Sequence, residues 1–187
     1  WMNGVSLSTL SLVVLQNTTV GPALMVQGSD RLVLSKLSAS NASGYEPTVQ
    51  LGTSTLDSRI EDATLTNSGA HYALGVIEGS MRNTVFRSTV TAAPTASDEP
   101  VVRLSGSNYA SFDLSVLRNS AASGLRGLHA LDSHYLTLAR STVSVSGASG
   151  KAVELYNGAN AAFTDDYLQC TGALCGAAAA DTLNAAR

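Results

Sequence analysis

The sequence predicts an all-β solenoid, a right-handed parallel β-helix of about seven coils, each of roughly 26 residues with three short strands. Three observations predict it. Large apolar residues recur at a fixed step: Leu34, Ile60, Phe86, Phe112 and Leu138 lie 26 apart, and Phe163 follows after 25. Self-similarity at such a period marks stacked repeats, whereas a meander sandwich has no reason to hold one step through six repeats. Around this column apolar and polar residues alternate over short runs broken by Ser, Gly and Asn, which is strand-and-turn chemistry with little helical periodicity. Asn41, Asn67 and Asn119 each fall seven residues after an anchor and mark one corner of the coil.

Taken in order, residues 5–23 are expected to form a short irregular first coil around Leu12, Val14 and Val20. Residues 24–176 are expected to form the regular coils. Ahead of the anchors, Val26, Leu51, Ile77, Leu104, Leu128 and Leu155 make one inward column, with Leu24, Val49, Val102 and Val153 two residues upstream. Leu32, Ser58, Thr84, Ala110, Leu136 and Ala161, two residues before the anchors, share the anchors' face because side chains alternate along a strand. Five residues after the anchors, Ala39, Leu65, Thr91, Leu117, Val143 and Leu168 open the third inward strand. Asn tolerates the left-handed turn a corner needs, and Ser-Gly follows at 43–44, 68–69, 123–124 and 149–150, where glycine supplies positive φ. The Phe86 coil departs, with Ala93 at the Asn position, Pro94 close behind, and a run through Asp98, Glu99 and Pro100 expected to bulge outward. Residues 177–187 are rich in helix formers and are expected to be a capping helix or a tail.

The outward positions form charge ladders. Glu61, Arg87 and Asp113 alternate in sign, Arg31 lies under Asp57, Lys36 under Asp62, and Arg140 under Asp165. Opposite charges on neighbouring coils attract.

Composition narrows the function. The chain has 187 residues, one domain's worth, with 13% charged residues, 16 glycines and a net charge of −3. No basic footprint for nucleic acid is present, and no apolar run is long enough to span a membrane. Trp1 in place of an initiator Met points to a piece of a longer precursor. Cys170 and Cys175 lack the additional ligands of a metal site. They read as a local disulfide, which implies an oxidising extracytoplasmic setting, or as a reduced pair packed as small apolar residues.

The coil length, the Asn corner and the Ser-Gly turns, over residues 24–176, resemble the right-handed parallel β-helix superfamily called pectin-lyase-like. That resemblance implies a secreted protein of one of several kinds: polysaccharide lyases and hydrolases, phage tailspikes, autotransporter passengers or other secreted surface proteins. Of the four motifs of the polygalacturonase-like members, only Asp165-Asp166 is matched here. A glycosidase needs two carboxylates flanking one bond, so the enzyme reading would rest on Asp165, Asp166 and Arg140. The structural reading pairs Asp165 with Arg140 instead. Calcium-dependent lyases need a carboxylate cluster, and columns of alternating sign do not supply one. No cofactor or metal is expected.

Tyr109 and Tyr135 are 26 apart and should stack, facing outward. They read as a glycan-contact site with Asp132 and His134, or as a pair that stabilises the ladder. The mixed column Thr64, Val90, Val116 and Thr142 is not the regular Thr array of an ice-binding face. The sequons at Asn17 and Asn41 would matter only in a eukaryotic secretory pathway. The function expected is therefore an extracellular or cell-surface module, structural or adhesive, whose partners are sister subunits, met end to end (as in a filament) or laterally, or surface glycan. A polysaccharide lyase or glycoside hydrolase is the alternative.

Overall fold

The computed structural model describes residues 1–93, 99–121, 126–147, 150–157, 159–170 and 183–186. Two sheets of seven strands and one of eight make up its regular structure. The first sheet runs from Met2–Asn3 to Lys151–Tyr156, the third from Val14–Asn17 to Tyr167–Cys170. The second runs from Thr9–Ser11 to Ala161–Thr164 and is extended by Leu183–Ala186, which pairs in parallel with Ala161–Thr164. That last strand stands where the composition suggested a capping helix or a tail. Neighbours within each sheet come from successive coils, so the chain visits the three sheets in turn and returns one strand higher, as a parallel β-helix. Parts of the expected bulge (94–98), the corners at 123–124 and 149, Cys175 and residues 171–182 lie outside the described residues.

In the anchor column the register follows the predicted period with one slip. Leu34 pairs with Ile60, Phe112 with Leu138, and Leu138 with Phe163. Between them, however, Ile60 pairs with Val85 and Val85 with Phe112. Phe86 therefore points outward, and the guanidiniums of Arg59 and Arg87 each lie 4.4 Å from its ring centroid. Two adjacent apolar residues satisfy alternation equally well, and cation–π contacts from both sides hold the larger one at the surface. The slip spreads through that coil: Val76, Asn83 and Val90 are buried where Ile77, Thr84 and Thr91 were expected, and Ala92 replaces Ala93 at the Asn corner. Arg87 leaves the column of Glu61 and Asp113, and Thr89 takes the outward position given to Val90. Leu128 pairs with Val102, two residues upstream of its expected column, which Ala130 occupies beside Leu104.

The inward residues form one continuous apolar stack in which Leu65, Leu104, Phe112 and Leu117 are at most 1% exposed. Burying each such side chain contributes about 1.5–3 kcal/mol. In the first coil the residues packed on this core are Met2, Val5, Leu10, Val13 and Leu15. Leu12, Val14 and Val20, expected to point inward, are 77%, 70% and 92% exposed. Leu12 occupies a corner at φ 56°, and Val14 alternates outward from Val13.

Two of the corners turn on a single residue in the left-handed conformation. One column contains Arg31, Asp57, Arg82, Tyr109 and Tyr135, and the other Lys36, Asp62, Arg87, Leu114, Arg140 and Asp165, all at positive φ. That conformation is unfavourable for side chains bearing a Cβ. Here the corner N–H groups bond to carbonyls of the next coil, as from Arg82 to Asn108 at 2.9 Å and from Arg140 to Thr164 at 2.8 Å, while Tyr135 reaches the Asn160 side chain. The N–H of the residue that follows the corner reaches a buried side-chain oxygen instead. Such bonds form a ladder from Ala63 to Ser88, Ser88 to Ser115, Ser115 to Ser141 and Ser141 to Asp166. These small polar side chains are inside because the corner leaves donors that would otherwise go unpaired.

The Asn corner works differently from its prediction. Asn41, Asn67 and Asn119 are not left-handed; they are buried, and their amides bridge the corner. Asn67 accepts the Gly69 N–H at 2.9 Å and donates to the carbonyls of Glu46 at 2.9 Å and Tyr72 at 3.1 Å. Asn41 makes the corresponding bonds to Ser43, Gly21 and Glu46, and a further one to Pro47. Gly69 serves close approach, not positive φ: a Cβ there would lie 1.7 Å from the Ser43 carbonyl oxygen on the adjacent coil.

Bidentate ion pairs cover the outside. Arg82 binds Asp57 and Arg87 binds Asp62, and these hydrogen bonds hold both carboxyls below the usual carboxylate range. A carboxyl whose pKa is depressed by folding stabilises the fold above its unfolded value, and that contribution is lost as the pH falls through the folded value. Melting temperature should therefore fall when the pH is lowered from 7 through about 4 towards 2.5. Asp166, raised by burial, acts in the opposite sense and is gained on protonation. A melting temperature by circular dichroism that stayed flat or rose across this range would rule out the ladders as stabilising elements.

Candidate functional site

The corner column of Arg31, Asp57 and Arg82 continues upward as Tyr109 and Tyr135, at φ 60° and 61°. The Tyr109 N–H donates to His134 O at 2.8 Å, and the Tyr135 N–H to Asn160 Oδ1 at 2.5 Å. With backbones fixed one coil apart, the two rings stack with centroids 4.6 Å apart and an interplanar angle of 10°. They are 51% and 57% exposed, so the stacked pair is open to solvent at the corner although the facing sides of the two rings cover each other. His134 is tilted against Tyr135 with ring centroids 6.3 Å apart, and its N–H bonds Asn108 Oδ1 at 2.9 Å. Asp132 lies at the preceding bend, where its carboxylate accepts a hydrogen bond from Asn157 Nδ2.

Asp165, Asp166 and Arg140 are close in the fold but differently engaged. Arg140 binds Asp113, at 3.0 and 2.6 Å, rather than Asp165; the charge of Asp165 contributes only at longer range to raising the Arg140 pKa. Asp166 accepts the N–H groups of Ser141 at 2.7 Å and Thr164 at 3.1 Å and ends the serine ladder. Burial pushes its carboxyl up from the ordinary value despite those bonds. Both oxygens are thus occupied by the backbone. Cys170 ends its strand, and because Cys175 lies outside the described residues the pairing of the two does as well.

A second constellation lies on the outward face of the first sheet. Arg103 pairs in register with His129, His129 with Glu154, and Arg126 with Lys151. Glu154 is only 8% exposed; Arg126 and Lys151 are in ion-pair contact with it, and His129 Nε2 is 3.9 Å from its Oε2. Burial pulls the Glu154 carboxyl upward, but the Lys151 hydrogen bond and the charges of Arg126, Lys151 and His129 outweigh it and leave the pKa below its usual value. Arg126, His129, Leu131, Glu154 and Tyr156 line a cleft of about 270 Å³. Sequence reasoning had placed these residues in no site, although the steps of 26 and 25 from Arg103 to His129 to Glu154 are visible in the chain. On the third sheet the outward column is Ser38, Thr64, Thr89, Val116 and Thr142, still interrupted at Val116. Among the described residues no group of His, Cys, Asp and Glu is arranged to hold a metal ion, and no helix is long and apolar enough to cross a membrane.

No protein-family model and no curated protein matches the sequence. Solved structures do. The chain is similar to the tailspike protein gp49 from Pseudomonas phage LKA1, with a TM-score of 0.63 and 12% identity over 86% of this chain and 31% of that one. It is also similar to the A-module of the Azotobacter vinelandii mannuronan C-5 epimerase AlgE4, with a TM-score of 0.59 and 11% identity over 94% of this chain and 57% of that one. The chain thus spans less than two thirds of either structure, and at such identities the likeness is one of fold. The fold in question is the parallel β-helix.

Proposed function

We propose that the chain is an extracellular or cell-surface β-helix module, structural and adhesive, that binds glycan on a lateral face. The observation that carries the reading is the exposed Tyr109–Tyr135 stack. Two exposed aromatic rings already held against each other by adjacent coils can contact a sugar ring with little side-chain ordering to be lost on binding. Ion ladders, corner bonds and an apolar stack give the module stiffness, and both oxygens of Asp166 are engaged in it, which favours a binding scaffold over acid–base chemistry at that pair. The test is an oligosaccharide panel read by calorimetry, with Tyr109→Ala and Tyr135→Ala. Binding should weaken by roughly ten-fold or more in each variant, since one stacking contact is worth on the order of 1 kcal/mol or more, while the circular dichroism spectrum is unchanged. Full-strength binding by both variants would defeat the reading. Turnover of a polysaccharide abolished by Asp166→Asn would establish the lyase or hydrolase alternative.

A further inference from the structure

We propose that the first coil is a contact surface for a second copy of the chain, the two copies meeting end to end about a two-fold axis through the rim that carries Leu7 and Leu12. This inference is independent of the glycan reading, which concerns Tyr109 and Tyr135 on later coils. Its starting point is charge. No Asp, Glu, Lys, Arg or His occurs in residues 1–29. The two left-handed corner columns sharpen the contrast. On the three following coils one column holds Arg31, Asp57 and Arg82, and the other Lys36, Asp62 and Arg87. On the first coil the same positions hold Leu7 and Leu12, at φ 49° and 56°. Leu7 is 71% exposed, and Leu12 and Val14 beside it are exposed as well. An apolar rim on a molecule otherwise covered by ion pairs marks an association surface.

The underside of the coil continues that rim. Met2, Val5, Leu10, Val13 and Leu15 pack on the core but stay partly exposed, whereas Leu34 and Ala39, in register above Leu10 and Leu15, are buried. Strands Met2–Asn3, Thr9–Ser11 and Val14–Asn17 are the end members of their sheets, so each has backbone groups on one side with no neighbouring strand. Edges of this kind are ordinarily blunted by charge, proline or a bulge, and none of these three strands contains a charged residue or a proline.

The partner follows from the composition of this surface and from the opposite end of the stack. A patch without charge is complementary to itself, since two copies can meet there with no like charges brought together and no ion buried. Laid against the rest of the chain, the same patch would desolvate the ladders that begin at Asp30. Head-to-tail stacking meets a further obstacle. Among the described residues the second sheet ends one strand beyond the other two, with Leu183–Ala186, so the far end offers an arriving first coil no level three-sheet platform. Two first coils present identical ends to each other, and an isologous contact of this kind closes at two copies.

The experiment is sedimentation of the 187-residue chain over a wide range of concentration, in a reducing buffer that keeps Cys170 and Cys175 from linking copies. The parent should be a dimer that dissociates on dilution. Trp1, the only tryptophan, is 79% exposed beside this surface, so its emission should move to shorter wavelength as the dimer forms. Leu7→Lys and Leu12→Lys each bring a charge into the contact and should weaken the dimer by about ten-fold or more. Their circular dichroism spectra should match the parent's, since both side chains are exposed. Leu114→Lys is the control: Leu114 holds the corner position of Leu12 on a later coil, exposed and at φ 50°, and its substitution should leave the dimer intact. A monomer at every concentration overturns the inference, as does a dimer that survives both rim lysines or leaves the Trp1 emission unmoved. Mass that keeps growing with concentration would show head-to-tail assembly and overturn it too.

Discussion

Phe112→Ala should destabilise the protein by about 3–5 kcal/mol, the usual cost of removing a large aromatic side chain from a packed interior. Phe86→Ala should cost far less. Both residues belong to the 26-residue column, and the period alone makes them equivalent. Phe112 is 1% exposed at the middle of the stack, in register with Val85 below and Leu138 above. Its loss would leave a cavity that two fixed coils cannot collapse to fill. Phe86 lies outside the sheet between Arg59 and Arg87, and its removal leaves no void. The comparison extends to Val85→Ala, which should be more costly than Phe86→Ala although fewer atoms are removed. Urea denaturation midpoints of the three variants decide the matter: equal losses for Phe86→Ala and Phe112→Ala would restore an uninterrupted 26-residue step and remove the slip.

That slip shows where sequence reasoning reaches its limit. The architecture is legible because a stacked coil must bring an apolar residue to nearly the same place in each turn, and Leu34, Ile60, Phe112, Leu138 and Phe163 do so. Local register is less legible, since a coil of 25 residues followed by one of 27 preserves the mean step and Val85 and Phe86 are both apolar. At the corners the residue types were visible and their mechanism was not. Asn and Gly suggested positive φ at the Asn corner, whereas at the other two corners the left-handed positions are held mostly by charged and aromatic residues such as Arg82 and Tyr109, and Asn67 works through its amide. Ion pairing depends on side-chain reach across a column: Arg140 extends sideways to Asp113 when Asp165 is the neighbour by count. The tyrosine stack needed only the 26-residue step and was legible. The Glu154 cleft required knowing that Arg103, His129 and Glu154 share one face of the first sheet, a consequence of the corrected register.

The Asn corner yields the other large effect. Asn67→Ala should cost roughly 3 kcal/mol, because it leaves the Gly69 N–H and the Glu46 and Tyr72 carbonyls without their partner, and each orphaned buried group costs about 1–3 kcal/mol. Hydrogen exchange should accelerate at Gly69 more than at Leu65, whose bonds belong to the sheet. Asn67→Asp separates acceptor from donor: its carboxylate can still accept from Gly69 but faces two carbonyls with no hydrogen to offer. The fold then disfavours the charged form and raises the pKa of the introduced carboxyl above its unfolded value. Stability from that group is present below the unfolded pKa and is lost as the pH rises through the folded one. The variant should thus recover part of its deficit between pH 7 and about pH 4, the range over which the parent begins to lose its ion pairs. A deficit equally large at both pH values would mean that the corner depends on the shape of the amide rather than on its donated hydrogens.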